Sequence, residues 1–220
     1  MKSISSPLVL AEEIDDLWKD IESPTCTNRE YFRRAVELEA KCLGVNKWKF
    51  RSLEYWYHAL VNPKWSSIFL YRVAVYHKLR GHGRLAVIFT RMNHILNGCD
   101  ISINAQIAPP CFFQHSRGIV IGENVKIGPN CQFHGNCLLG RDPLELGGKD
   151  QYPRLGRGVF IGPGAVLLGG IEIGNDAVIG ALARVSFSVP ERVIVSSPSA
   201  QIKRNLTENE DPQYRIRRSS

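Results

Sequence analysis

A six-residue spacing of apolar residues between Ile101 and Val185 constrains the fold of this chain more than any other feature. A period of six matches neither the 3.6 residues per turn of an α-helix nor the simple alternation of a β-strand, and it predicts a β-solenoid. Three hexapeptides would form one triangular coil, and successive coils would stack about 4.8 Å apart. The large apolar positions are Ile101, Ile107, Phe113, Ile121, Ile127, Phe133, Leu139, Leu155, Ile161, Leu167, Ile173, Ile179 and Val185. Small or β-branched residues four positions later are Cys111, Val125, Cys131, Cys137, Val159, Ala165, Ile171, Ala177 and Ala183.

The first 97 residues carry a helical pattern instead. Apolar spacing predicts helices over residues 11–18, 29–43, 52–61, 65–79 and 85–96, with breaks at Asn62-Pro63, at 81–83 and at Gly98. We therefore predict an α+β protein in which an α-helical N-terminal domain, residues 1–97, precedes a left-handed parallel β-helix, residues 98–190. Residues 191–220 form a polar C-terminal tail that we expect to be partly disordered.

Composition narrows the class of protein. No apolar run is long enough to span a membrane, and the first 16 residues lack the pattern of a signal peptide. The six cysteines show no CxxC spacing, so we expect a cytoplasmic setting and no metal site. The net charge of +7 is compatible with a polyanionic partner, but no DNA- or RNA-binding signature accompanies it, and we expect no nucleic-acid partner.

The six-residue spacing is broken twice. Two extra residues separate Phe113 from Ile121, and sixteen positions separate Leu139 from Leu155, so residues 141–154 must leave the prism as a loop. Because irregularities in a regular repeat are where functional residues usually lie, both breaks are candidate parts of a site.

Four short motifs add a family resemblance that covers residues 55–204. They are Phe69-Leu70-Tyr71-Arg72, Asp100-Ile101, the stretch QHSRGIVIGE over residues 114–123, and residues 152–170. On these motifs the chain resembles the serine acetyltransferase family of hexapeptide-repeat acyltransferases, including the fifteen-residue spacing from the aspartate to the histidine. The resemblance implies transfer of an acetyl group from acetyl-CoA to a hydroxyl group.

The catalytic residues that the resemblance implies are His115 and Asp100. His115 would remove the proton of the acceptor hydroxyl, and Asp100 would hold the imidazole in the required tautomer. The chemistry is sound in its own right, because an imidazole is the usual base at neutral pH and a carboxylate on its second nitrogen orients it.

The acceptor site departs from the family pattern. Gln114 replaces an aspartate, and Gln151-Tyr152 replaces an arginine-histidine pair, so charges that would bind the ammonium and carboxylate of serine are lost. We therefore expect an acceptor other than free serine bound in the usual way, such as a sugar or another hydroxylated metabolite. The candidate acceptor-binding residues are Gln114, Glu123, Gln151, Tyr152, Asn62 and His134, the last lying one coil beyond His115.

The donor site and the assembly also follow from the resemblance. It implies coenzyme A along the groove between the prisms of a homotrimer or a dimer of trimers. The pantetheine arm would lie along small residues and the phosphates would meet basic ones; these cofactor-binding candidates are Gly162, Gly164, Gly180, Ala181, Lys203 and Arg204.

Two alternatives accompany this prediction of an acetyl-CoA-dependent O-acetyltransferase. The first is a true serine O-acetyltransferase of cysteine biosynthesis with a rearranged acceptor site. The second is a non-catalytic solenoid scaffold or regulatory subunit, against which the intact Asp100 and His115 argue. The sequence does not decide whether the acyl group is acetyl or longer, or whether the assembly is a trimer or a hexamer.

Overall fold

Four helices precede a solenoid of short parallel strands. The computed structural model describes residues 29–43, 53–62, 64–144 and 151–201. The helices are α1 (Arg29–Cys42), α2 (Leu53–Val61), α3 (Ser66–Leu79) and α4 (Gly83–Asn97). They match four of the predicted helices to within two residues at each end, whereas the predicted helix at 11–18 lies outside the described residues. Within the described ranges, no helix is both long and apolar enough to cross a membrane.

The strands wind around a three-sided prism, which confirms the predicted left-handed parallel β-helix. The strands are β1 (Asp100–Ile101), β2 (Gln106–Ile107), β3 (Cys111–Phe113), β4 (Val120–Ile121), β5 (Lys126–Ile127), β6 (Cys131–Phe133), β7 (Leu138–Gly140), β8 (Arg154–Leu155), β9 (Phe160–Ile161), β10 (Val166–Leu168), β11 (Glu172–Ile173), β12 (Val178–Ile179), β13 (Arg184–Val185) and β14 (Ile194–Val195). Sheet A contains β1, β4, β7, β10 and β13; sheet B contains β2, β5, β8 and β11; sheet C contains β3, β6, β9, β12 and β14.

The interior consists of the residues that the six-residue spacing selects. None of the thirteen large apolar positions is more than 4% exposed, and the rings of Phe113 and Phe133 meet edge to face with centroids 5.5 Å apart. The three cysteines in the small positions are also buried, and burial raises the pKa of the Cys131 thiol to about 12. These cysteines therefore act as small apolar residues rather than as reactive thiols.

The solenoid continues beyond residue 190, where the sequence pattern suggested that it ends. Val189 bridges Ile173, and β14 pairs with β12 in register with Val178 and Ile179. Val189 follows Val185 by four positions instead of six, and the spacing of six then resumes at Val195. A side that is two residues shorter still keeps its backbone pairing, so the break in the pattern does not end the coil.

Helix α3 closes the first coil of the solenoid. The Tyr71 hydroxyl donates a hydrogen bond to the carbonyl oxygen of Ala105 at 2.6 Å, and the Arg72 guanidinium donates to that of Ile107. Lys78 Nζ donates to the carbonyl oxygen of Ile103 at 3.2 Å. A terminal coil has backbone groups that no neighbouring coil pairs. These side chains supply hydrogen bonds to the carbonyl groups of the first coil, as a preceding coil would.

A buried ion pair holds this cap to the rest of the helical domain. Arg72 Nη2 lies 2.9 Å from Glu39 Oε1, and Glu39 has no solvent exposure. Burial raises the pKa of Glu39, and the neighbouring Arg72 offsets only part of that effect. For Arg72 burial opposes the charged form, but the charge of Glu39 outweighs it and the pKa is raised.

Candidate active site

One edge of the prism collects most of the predicted site. We call it the C–A edge; it consists of the turns that lead from sheet C to the next strand of sheet A, residues 114–119, 134–137, 162–165 and 180–183. Backbone hydrogen bonds stack these turns, from Asn136 N to Arg117 O at 2.9 Å and from Gly164 N to Gly135 O at 3.0 Å. Side chains at equivalent places in successive turns are therefore neighbours.

Two histidines lie next to each other on this edge. The ring centroids of His115 and His134 are 5.9 Å apart, and the ring of His134 is 5.1 Å from that of Phe160. His115 is exposed, as a base that meets a substrate must be, whereas His134 is half-buried between its two neighbours. Gln114 directly precedes His115 on the same edge.

Asp100 lies at the start of sheet A, beside the C–A edge, where its backbone amide donates to the carbonyl oxygen of Ile119 at 2.8 Å. It is the first residue of β1, is exposed, and is aligned with Val120 of β4. Among the described residues no hydrogen bond joins its carboxylate to His115. Hydrogen bonds between catalytic residues often tighten only when substrate is bound, so the pairing of Asp100 with His115 stays a prediction.

The residues expected to bind the donor lie on the C–A edge, above the histidines. A Cβ on Gly162 would be 2.7 Å from Ala181 N, and a Cβ on Gly164 would be 2.7 Å from Leu182 Cδ2. Gly164 also has φ of +71°, a backbone conformation that favours glycine. The close stacking therefore requires glycine at both positions. Gly162 is buried, Gly180 is half-buried, and Ala181 is exposed on the same edge. The two basic candidates, Lys203 and Arg204, lie outside the described residues.

Three further acceptor candidates, Glu123, Gln151 and Tyr152, lie on a different edge of the prism. We call it the A–B edge; it leads from sheet A to sheet B and includes Asn104, whose Nδ2 donates a hydrogen bond to Glu123 Oε1. A Cβ on Gly122 would be 3.5 Å from Tyr152 Cε1, which places Tyr152 beside Glu123. Gln151 precedes Tyr152 and is 8% exposed. A single chain therefore divides the predicted acceptor residues between two edges.

Asn62 lies in the turn before α3 and accepts hydrogen bonds from the backbone of that turn. Its side-chain oxygen accepts a hydrogen bond from Lys64 N at 3.0 Å, and its carbonyl oxygen accepts from Trp65 N and Ser66 N. Lys64 precedes α3, and the side chain of the N-cap residue Trp65 makes no capping hydrogen bond, so Asn62 orders the turn before the helix and meets its first amide through a backbone carbonyl. A contact of Asn62 with the acceptor stays a prediction.

Ser116 and Asn97 are contacts of the site that sequence reasoning missed. Ser116 Oγ donates to the carbonyl oxygen of Asn97 at 3.1 Å, directly beside His115 in the chain. The two extra residues between Phe113 and Ile121 indicated that this turn differs from the others. They did not indicate that the turn contacts the end of α4. As to metals, the described part of the chain has no group of three or more histidine, cysteine or acidic residues suited to an ion.

Comparison with known proteins decides the family. The protein-family model described as bacterial transferase hexapeptide (six repeats) matches residues 152–186. A serine acetyltransferase of Helicobacter pylori is 35% identical over 137 residues, which cover 61% of this chain and 78% of that protein. This chain belongs to the serine acetyltransferase family.

Further serine acetyltransferases agree with this family assignment. The protein of Mycobacterium tuberculosis is 35% identical over 140 residues, which cover 64% of this chain and 60% of that protein. The crystal structure of the Neisseria gonorrhoeae serine acetyltransferase in complex with serine aligns with a TM-score of 0.64 at 26% identity, over 92% of this chain and 85% of that one. The chain spans less than two thirds of some relatives, such as 43% of the serine acetyltransferase 2 of Arabidopsis thaliana. The predicted family is confirmed.

The family corrects our prediction about the acceptor. We expected an acceptor other than serine, but the relatives are serine acetyltransferases and one of the aligned structures holds serine. The prediction was wrong because it equated the loss of charge at Gln114 and Gln151 with the loss of binding. A glutamine amide still offers a donor and an acceptor to an ammonium or a carboxylate group.

Proposed function

We propose that this protein is a serine O-acetyltransferase that uses acetyl-CoA as donor. The observation that carries the proposal is the C–A edge, on which an exposed histidine lies beneath a strip of small residues, in a chain whose relatives are serine acetyltransferases. The exposed Ala181 and the half-buried Gly180 present no bulky side chain on this edge, which suits the pantetheine arm, whereas Gly162 is buried beneath the next coil.

His115 supplies the base of the proposed reaction. It accepts the proton of the serine hydroxyl as the oxygen attacks the thioester carbon. The carbon–sulfur bond then breaks, the proton passes from the imidazolium to the departing thiolate, and O-acetylserine and coenzyme A are the products. Asp100 would stabilise the imidazolium while the proton resides on it.

The acceptor residues on two edges favour a site shared between subunits. Since Glu123 and Tyr152 lie on the A–B edge and His115 lies on the C–A edge, one prism alone does not bring them together. We propose a homotrimer in which the A–B edge of one subunit faces the C–A edge of the next. The proposed cytoplasmic setting accords with thiols that are buried and free, as at Cys111.

The test is release of coenzyme A from acetyl-CoA in the presence of serine, followed with a thiol reagent. His115→Ala should lower kcat by roughly 10²–10⁴-fold and leave binding of acetyl-CoA nearly unchanged, because only the base is lost. His94→Ala, at an exposed histidine in the last turn of α4, is the matched control and should retain full activity.

Three outcomes would contradict the proposal. Full activity in His115→Ala would mean that the base lies elsewhere. Transfer to another hydroxyl compound but not to serine would overturn the acceptor, and no thioester cleavage with any acceptor would favour a non-catalytic scaffold.

A further inference from the structure

The turn that carries His115 is attached to the C-terminal end of α4. Ser116 Oγ donates to the carbonyl oxygen of Asn97 at 3.1 Å, and Gly118 N donates to that of Gly98 at 2.8 Å. Asn97 is the last residue of α4, and the final carbonyls of a helix have no partner within it. The catalytic turn thus supplies the hydrogen bonds that the end of this helix needs.

The attachment extends through Asn97 to the beginning of α3. Ser66 Oγ donates to Asn97 Oδ1 at 2.6 Å, while Asn97 Nδ2 donates to Asn93 Oδ1 at 2.9 Å. Asn93 in turn donates from Nδ2 to the carbonyl oxygen of Ser67 at 2.9 Å. Each amide therefore has a defined orientation, and a continuous chain of hydrogen bonds connects α3, α4 and the turn at Ser116.

The two extra residues in this turn are what make the contact possible. From Phe133 to Leu139 the chain crosses the C–A edge in six positions, but from Phe113 to Ile121 it takes eight. In the longer turn Ser116 is buried against the helical domain, at 9% exposure, while the preceding His115 stays exposed.

We propose that Ser116, Asn97 and Ser66 are positioning residues for His115, through which the helical domain holds the catalytic turn in place. The proposal rests on the proposed function, since it assigns these residues to the base of that reaction. A longer turn has more conformational freedom than a regular one, and a displacement of the base by about 1 Å can cost about 10²-fold in rate. The hydrogen bonds that run from Ser116 through Asn97 to Ser66, which we call the bridge, limit that freedom at the residue next to the base.

Ser116→Ala tests the proposal by removing the first hydrogen bond of the bridge. We expect kcat for serine acetylation to fall about 10- to 100-fold, because the base is less well held. The KM for acetyl-CoA should not change, because Gly162 and Gly180 lie in later coils and keep their stacking. Ser116→Thr retains the hydroxyl and should recover most of the lost kcat, which a general loss of packing would not explain.

Ser66→Ala and Ser67→Ala form a matched pair at the other end of the bridge. The Ser66 hydroxyl is part of the bridge, whereas the buried Ser67 hydroxyl has no hydrogen-bond partner in the described structure. Ser66→Ala should lower kcat, and Ser67→Ala should leave it unchanged although it removes the same atom from the adjacent buried position.

The outcomes separate this proposal from the proposed function. If wild type acetylates serine, His115→Ala does not, and Ser116→Ala keeps full kcat, the bridge has no positioning part and only this inference fails. Equal losses in Ser66→Ala and Ser67→Ala would also overturn it. If wild type does not acetylate serine, NMR of the imidazoles still decides: the His115 resonance should shift in Ser116→Ala while that of His94 does not, and an unchanged His115 resonance overturns the proposal.

Discussion

Arg72→Met removes the cation of the buried pair by which the helical domain caps the solenoid. In the wild type Arg72 lies 2.9 Å from the fully buried Glu39 and also donates to the carbonyl oxygen of Ile107. Removing one member of a buried ion pair costs about 3–5 kcal/mol, and a buried carbonyl left without a donor costs about 1–3 kcal/mol. We therefore expect Arg72→Met to lower the free energy of unfolding by about 4–8 kcal/mol.

The double variant Glu39→Met/Arg72→Met separates the two contributions. It leaves no uncompensated charge, but the Ile107 carbonyl loses its donor and the Cys111 backbone amide, which hydrogen-bonds the Glu39 carboxylate, loses its acceptor. A cost of about 2–6 kcal/mol should therefore remain. The double variant should thus be more stable than Arg72→Met, although it carries one more substitution. Such an inverted order is expected only when a buried charge without its partner is the main source of instability.

Thermal unfolding at a fixed subunit concentration measures both variants. For a chain of this size about 1 kcal/mol corresponds to about 2–4 °C in Tm, so the Tm should fall by about 8–32 °C in Arg72→Met and by about 4–24 °C in the double variant. A double variant that is less stable than Arg72→Met, or Arg72→Met with an unchanged Tm, would refute the reasoning.

The pH dependence of Arg72→Met gives a second check on the same pair. Burial raises the pKa of Glu39 above its usual value of 4.5, and in this variant Arg72 no longer offsets that effect. The folded state then keeps a proton that the unfolded state has already released, so stability is greatest at low pH and falls as the pH rises through the pKa of the folded state. Arg72→Met should therefore be more stable near about pH 5 than near about pH 8, relative to wild type.

Two further predictions concern the edges of the prism. Leu182 has φ of 58° and is 74% exposed. Leu182→Asn should therefore relieve about 1 kcal/mol of left-handed strain and raise Tm by about 2–4 °C, whereas Leu182→Ala should not. A Tm for Leu182→Asn at or below that of wild type would contradict this. If the proposed trimer brings two edges together, mixed trimers of His115→Ala and Tyr152→Ala subunits should be more active than either parent, and a mixture without any recovery would refute the shared site.

The core and the helices were predictable because they depend on local spacing. The rings of Phe113 and Phe133 are in contact because the regularly spaced apolar residues of a three-sided coil point inward, so counting positions is enough to find them. The end of the solenoid was less predictable, since Val189 follows its predecessor by four positions and still pairs with Ile173. Backbone pairing tolerates a short side that a strict period does not describe.

The candidate site was predictable only in part. His115 and Gly162 follow from a motif and from the repeat, and both are found on the C–A edge. That Glu123 and Tyr152 lie on another edge depends on which corner of the prism each turn occupies, and no single motif contains that information. The expected acceptor was wrong because a change of charge was considered without the other hydrogen bonds that glutamine provides.

The sequence by itself determined the solenoid, its buried residues and the identity of the candidate base, because each is encoded by residues a few positions apart. Only the tertiary structure decided how the helical domain is joined to the catalytic turn. Ser116 meets Asn97 across 19 positions, and Asn97 meets Ser66 across 31. Contacts of this kind depend on how helices pack against the first coil, and serine and asparagine carry no periodic pattern that would show them in advance.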